Sequence, residues 1–133
     1  MQLKLVTAIP LLLITVASCT VAGTSEDNAR VPFDRLLALA NGQPLTPLPP
    51  SFSERAKAGI AQDQLNMYLA GVIDSKESHD WCVAKSGLPP HEVNQLLLAE
   101  LQQDYEQQKV ASRDNAAVLV AKKLRILFPC SSL

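Results

Sequence analysis

Asn115 to Cys130 reads NAAVLVAKKLRILFPC. Apolar residues recur at Ala116, Ala117, Val120, Ala121, Leu124, Leu127 and Phe128, the three-and-four spacing that puts them on one face of a helix. Pro129 disfavours helical geometry in the residue before it, so the helix is expected to stop there. Lys122, Lys123 and Arg125 fall near its C-terminal end, where the helix dipole favours positive charge. Ser112 is the expected cap at the other end.

Working upstream, Val93, Leu97, Leu101 and Tyr105 stand one turn apart, with Leu96 and Leu98 beside them, and predict a helix from about His91 to Gln108. Gly87, Pro89 and Pro90 make the stretch before it a connector. A longer helix is expected from about Phe52 to Ser78, with Ser51 and Glu54 as a capping box. Ala61, Leu65, Tyr68 and Val72 form its stripe, widened by Leu69 and Ile73. Gly71 in its middle costs about 1 kcal/mol relative to Ala, so Ala70-Gly71 is expected to be a smooth face for a neighbouring helix. Phe33, Leu36, Leu37 and Ala40 have helical spacing, Asn41-Gly42 ends that run, and Pro44, Pro47, Pro49 and Pro50 form a stiff link. The fold class is therefore all-α, a small bundle of about four helices.

The 133 residues suffice for one domain, and 12 Lys+Arg against 13 Asp+Glu leave no basic face for nucleic acid. Lys4 followed by the uncharged run Leu5–Ala17 has the form of a secretion signal. That run is too short for a membrane span, which needs roughly 20 residues. The chain divides into a signal peptide at 1–18, a tether with short helix and Pro-rich connector at 19–50, and a helical domain at 51–130. Val16-Ala17-Ser18-Cys19 resembles the lipobox of bacterial lipoproteins, in which Cys19 would carry the lipid and Thr20 leans towards the outer membrane. Cleavage after Ala22 is the rival reading. On either, contact with a membrane is through an N-terminal lipid anchor or not at all.

Export places the chain where disulfides persist. If Cys19 is lipidated, Cys82 and Cys130 remain, and two thiols pair in one way; the other reading is two free buried thiols. A bridge would close a loop of about 49 residues and stabilise by roughly 4 kcal/mol at most. Parts for catalysis are few. His79 and Cys82 supply two metal ligands where a structural zinc site uses four, so neither a metal nor another cofactor is expected. Asp74, Glu77 and Asp80 read as a solvated helix end ahead of an acid/base site. No phosphate loop, nucleophile elbow or zincin motif occurs, and the chain does not read as an enzyme. Trp81, in a polar segment, either packs over a disulfide or stands as an anchor for a partner. Asp104–Arg113 is either a solvated turn or a recognition loop.

An ordered set of elements then goes beyond a generic bundle: Tyr68-Leu69-Ala70-Gly71-Val72-Ile73-Asp74, Trp81-Cys82, Leu88-Pro89-Pro90 before His91, Asn115-Ala116-Ala117-Val118-Leu119-Val120, and Phe128-Pro129-Cys130. Over Tyr68–Cys130, about half the chain, this order resembles the Rap/Tai-type immunity proteins of bacterial type VI secretion systems. The chain departs from that pattern in three places. Leu65 or Asn66 stands where many members have a further Cys, Met67 where many have Gly, and Val83-Ala84 follows the central Cys where x-Pro is common.

The resemblance implies a small exported helical protein, often dimeric, that binds a peptidoglycan amidase effector in the periplasm and blocks its cleft. Contact with the amidase would then fall to His79, Asp80 and Trp81 and to the connector between Asp104 and Arg113. The competing expectation is a scaffolding lipoprotein of the envelope with no inhibitory role.

Overall fold

The computed structural model describes residues 30–130. The expected leader at 1–18, the expected lipid site at Cys19 and the rival cleavage position after Ala22 lie outside the described residues. Four α-helices and no β-strand occur among those described: α1 (Phe33–Ala40), α2 (Glu54–Ser75), α3 (Pro90–Glu106) and α4 (Ala116–Leu127). A single 3₁₀ turn, Val83–Ser86, lies between α2 and α3. The all-α expectation is met, and each helix delivers one short ladder to a common core. These ladders are Phe33, Leu36 and Leu39; Ala61, Leu65 and Leu69; Val93, Leu97 and Leu101; and Ala116, Val120 and Leu124. Three- and four-residue steps keep each ladder on one helix face. Each fully buried leucine contributes about 1.5–3 kcal/mol by leaving water. Phe128 and Trp81 complete the core.

Helix α1 belongs to this core. The pair Pro32 and Asn115 forms a β-bridge around its first turn. The N–H groups of Phe33 and Asp34 donate to the carbonyls of Asp114 and Ser112, both at 2.9 Å, and Ala116 N–H donates to Val31 at 3.0 Å. Backbone from the segment before α4 thus does the work of a side-chain cap on α1. The core side of α1 is set by Leu39, while Leu37 is half-buried and Ala40 exposed, contrary to the expected stripe. Over this eight-residue helix, steps of three carry Phe33, Leu36 and Leu39 along the buried side. The helix ends in a left-handed turn at Gly42 (φ 78°), with Gln43 N–H donating to Ala38 and Gly42 N–H to Leu39. A Cβ on Gly42 would lie 3.2 Å from that of Ala58, so close approach and backbone conformation both favour glycine there.

Three helix starts or ends differ from expectation. Ser53, not Ser51, caps α2, its hydroxyl accepting from Ala56 N–H at 3.2 Å. Ser51 and Phe52 are held in a turn by the bond from Phe52 N–H to Pro49, which delays the helix by two residues. Helix α2 stops at Ser75 because Lys76 leaves helical geometry (φ −139°) and Ser78 is left-handed (φ 66°). Asn115, not Ser112, caps α4, accepting from the N–H groups of Ala117 and Val118. The carbonyl of Ser112 is already committed to α1. The close approach expected at Gly71 is absent, since beyond its own stretch of helix backbone nothing lies within 4 Å of where its Cβ would be.

Helices α3 and α4 are tied by a polar contact as well as by packing. Lys123, 9% exposed, reaches the carboxylates of Asp104 at 2.9 Å and Glu100 at 3.2 Å. The hydrogen bond to Asp104 is the main reason its ammonium group holds its proton to higher pH than a free lysine. The expectation of a helix-end lysine serving the dipole is replaced by an inter-helix clamp. The most consequential link is covalent: Cys82 and Cys130 form a disulfide, with Cα atoms 4.9 Å apart.

Three outcomes are expected. Gln108 adopts φ 57° at the end of α3, where Lys109 N–H and Gln108 N–H close back on Asp104 and Tyr105. Gln108→Gly should therefore raise the melting temperature, corresponding to about 0.5–1 kcal/mol. Lys123→Met should lower stability at neutral pH by about 1–3 kcal/mol, because Glu100 loses its partner and Asp104 the nearer of its two lysines. The folded pKa of Lys123 lies above its ordinary value, so its contribution is complete below about pH 10. It is lost as pH rises through the folded value, and denaturation curves of wild type and variant should converge in that alkaline range. Replacing Cys82 and Cys130 together by serine should remove about 2–4 kcal/mol in a denaturant titration.

Candidate functional site

The segment between α2 and α3 carries most of the residues with chemistry to offer, and its shape follows from how α2 ends. When a helix stops, its last carbonyls need donors. Here the indole Nε1–H of Trp81 donates to the Ile73 carbonyl at 2.7 Å, which brings the ring inside, at 1% exposure. The Ser78 N–H donates to the Trp81 carbonyl at 2.8 Å and closes the turn between them. Glu77 then accepts from the N–H groups of Val83 and Ala84, each at 3.1 Å, and caps the 3₁₀ turn. The Cys82 N–H donates to the Phe128 carbonyl at 2.9 Å, and its sulfur bonds Cys130. Gly87 (φ 70°) ends the turn and Pro90 opens α3.

Five sequence-chosen contact residues fall in three places. His79 is exposed at the turn. Asp80 lies beside it, bonded to the Arg125 guanidinium, and that bond holds its carboxyl below the usual carboxylate range. Its share of stability is present at neutral pH and lost as pH falls through the lowered value. Arg125 also lies 5.9 Å from the Trp81 ring centroid. Trp81 itself fills the interior and offers no indole to a partner in this conformation. Asp104 is inside α3 and is engaged by Lys123 at 2.9 Å and Lys109 at 3.8 Å, so its role is to join helices. Arg113 is exposed on the connector before α4, near Arg30 and Asp34. Asp80 sits against the last turn of α4 and Arg113 precedes its first, so the structure does not gather the set into one site.

The sequence did not point to a groove of about 630 Å³ along the C-terminal half of α2. One wall is α2, through Ala70, Ile73 and Asp74. The second is the 3₁₀ turn, through Val83 and Ala84, and the third is Leu88 ahead of α3 with His91 and Val93 in its first turn. Asn66 closes one end, accepting from the amides of Gln62 and Asn94 at 3.1 Å each. Ala70, read in the sequence as a surface for helix packing, instead leaves this wall low. The volume is within the range typical of ligand pockets. Among the described residues, no cluster of three His, Cys, Asp or Glu is placed to hold a metal ion. The Cys82 sulfur is taken up by the bridge to Cys130 and presents no thiolate as a nucleophile or metal ligand.

The family model described as "Rap1a immunity proteins" matches residues 45–130, which includes α2, α3, α4 and both bridged cysteines and leaves α1 outside the match. No curated protein matches the chain. With the match covering well over half of its length, the chain belongs to the Rap1a immunity protein family.

Proposed function

We propose that this protein acts in the periplasm, where it binds a peptidoglycan amidase delivered by type VI secretion and blocks the enzyme's cleft. The family match over residues 45–130 carries this reading, since immunity proteins act by binding a secreted effector. Two further features support it. The run Leu5–Ala17 behind Lys4 has the form of a secretion signal, and the Cys82–Cys130 bridge suits an oxidising compartment. The task is recognition without turnover. Its affinity depends on how little freedom the binding surface loses on contact, and a preorganised surface loses least. A helical core with its longest connector tied down covalently is such a surface. A lipid on Cys19 would hold the inhibitor at the membrane facing the incoming enzyme and would leave the helical domain unchanged.

Co-expression tests the reading. Cells producing periplasm-directed amidases of the type VI class, one enzyme per strain, should lyse without this chain and grow with it. Purified protein should form a complex with the neutralised amidase and slow its hydrolysis of peptidoglycan. Protection from none of the enzymes, with the chain present and folded in the periplasm, would reject an immunity role against amidases. A chain whose loss weakens the envelope without any toxin would then be a scaffold.

A further inference from the structure

We propose that the groove between α2, the 3₁₀ turn and α3 receives an apolar segment of a protein partner that carries a lysine or arginine beside its buried side chain. The floor is aliphatic: Ile73 and Val83 are half-buried and Leu88 is 39% exposed, so apolar atoms face water along it. The rim carries the carboxylates of Asp74 and Glu77 from the α2 side and the His91 imidazole from the α3 side. Asp74 projects from the exposed side of α2 and has no ion-pair partner among the described residues. The second carboxylate of the lining, Glu77, is occupied by two backbone N–H groups and serves to build the wall. No lysine or arginine lines the groove. An apolar side chain seated on the floor would therefore leave a neighbouring cationic group within reach of Asp74, where a carboxylate on the ligand would meet like charge. An anionic lipid surface fits this rim poorly for the same reason.

The walls also explain why the groove persists without an occupant. The 3₁₀ turn is fixed by Glu77 on one side and by the bridge from Cys82 on the other, so the space is not closed by collapse of the connector. That the partner is the effector rests on the immunity reading; the chemical class of the segment rests on the groove alone.

The test uses the full chain, expressed with its own N-terminal segment, labelled with ¹⁵N and purified with the bridge intact. The probe is acetyl-ALRLA-amide, and the control is acetyl-ALELA-amide. The arginine peptide should give saturable amide shifts confined to residues 66–94, and the glutamate peptide should bind at least about tenfold more weakly. Ala70→Trp, which fills the space, and Asp74→Lys, which reverses the rim charge, should each weaken binding by about tenfold or more. Met67→Ala, on α2 outside the groove, should leave it unchanged. Circular dichroism establishes that each variant is folded, and if Ala70→Trp is not, Asp74→Lys carries the comparison.

Absent or scattered shifts, equal binding of both peptides, or binding that survives Asp74→Lys would overturn the proposal. So would the same groove shifts on raising protein concentration without peptide, which would make a second copy the occupant. The growth assay is scored separately. Protection by wild type together with a failed titration removes the groove and leaves the immunity reading standing. A successful titration with no amidase neutralised does the reverse.

Discussion

The bond between Cys82 and Cys130 decides where the least regular part of this protein can go. Between Ser75 and Pro90 the chain reverses from α2 into α3 through a segment with two left-handed residues and one short turn of helix. Such a segment has few backbone bonds of its own and would open first. Here its middle is joined covalently to the chain just beyond α4, while the residue before the cysteine sits in the core and satisfies the end of α2. Turn, tail and core are thereby fixed together. For a domain of about 100 residues the loop-closure effect is a large fraction of total stability, which is usually about 5–15 kcal/mol.

The periodic parts of this arrangement were legible in the sequence. Leu97 and Leu101, or Val120 and Leu124, fall on helix faces because burial and the helical repeat leave no other register. Counting left two readings of Cys82 and Cys130 once Cys19 is set aside, a bridge or two free thiols, and the structure shows the bridge. What escaped were positions decided by neighbours far away in the chain. Ser112 has the composition of a cap, but α1 takes its carbonyl, and Asn115 caps instead. Lys123 reads as a surface cation until α3 places Glu100 and Asp104 beside it. The short N-terminal helix reads as an appendage, yet backbone bonds to residues 112–116 draw Phe33 into the core.

The candidate site was less legible, and for a physical reason. A binding protein carries no catalytic constellation whose residue types announce themselves, so sequence reading falls back on unusual surface residues. Trp81 and Asp104 drew attention because an aromatic or a carboxylate in a connector is conspicuous. Both turn out to be conspicuous because they hold the structure: one closes α2, the other grips α4. The groove is bounded by ordinary residues, such as Ala70 and Leu88, that become a site only when three elements meet. Family membership supplies the class of partner, and the fold supplies the surfaces on which that partner could be met.

The bridge, acting with the buried Trp81, keeps the α2–α3 connector in one conformation. Hydrogen exchange at the Cys82 amide tests this most directly, because that N–H is bonded to the Phe128 carbonyl across the bridge. In the oxidised protein it should exchange only through global unfolding, as slowly as the amides of the α4 core. After reduction it should exchange through local opening, much faster than those same amides. Equal protection at Cys82 before and after reduction, or fast exchange while the bridge is intact, would contradict the account.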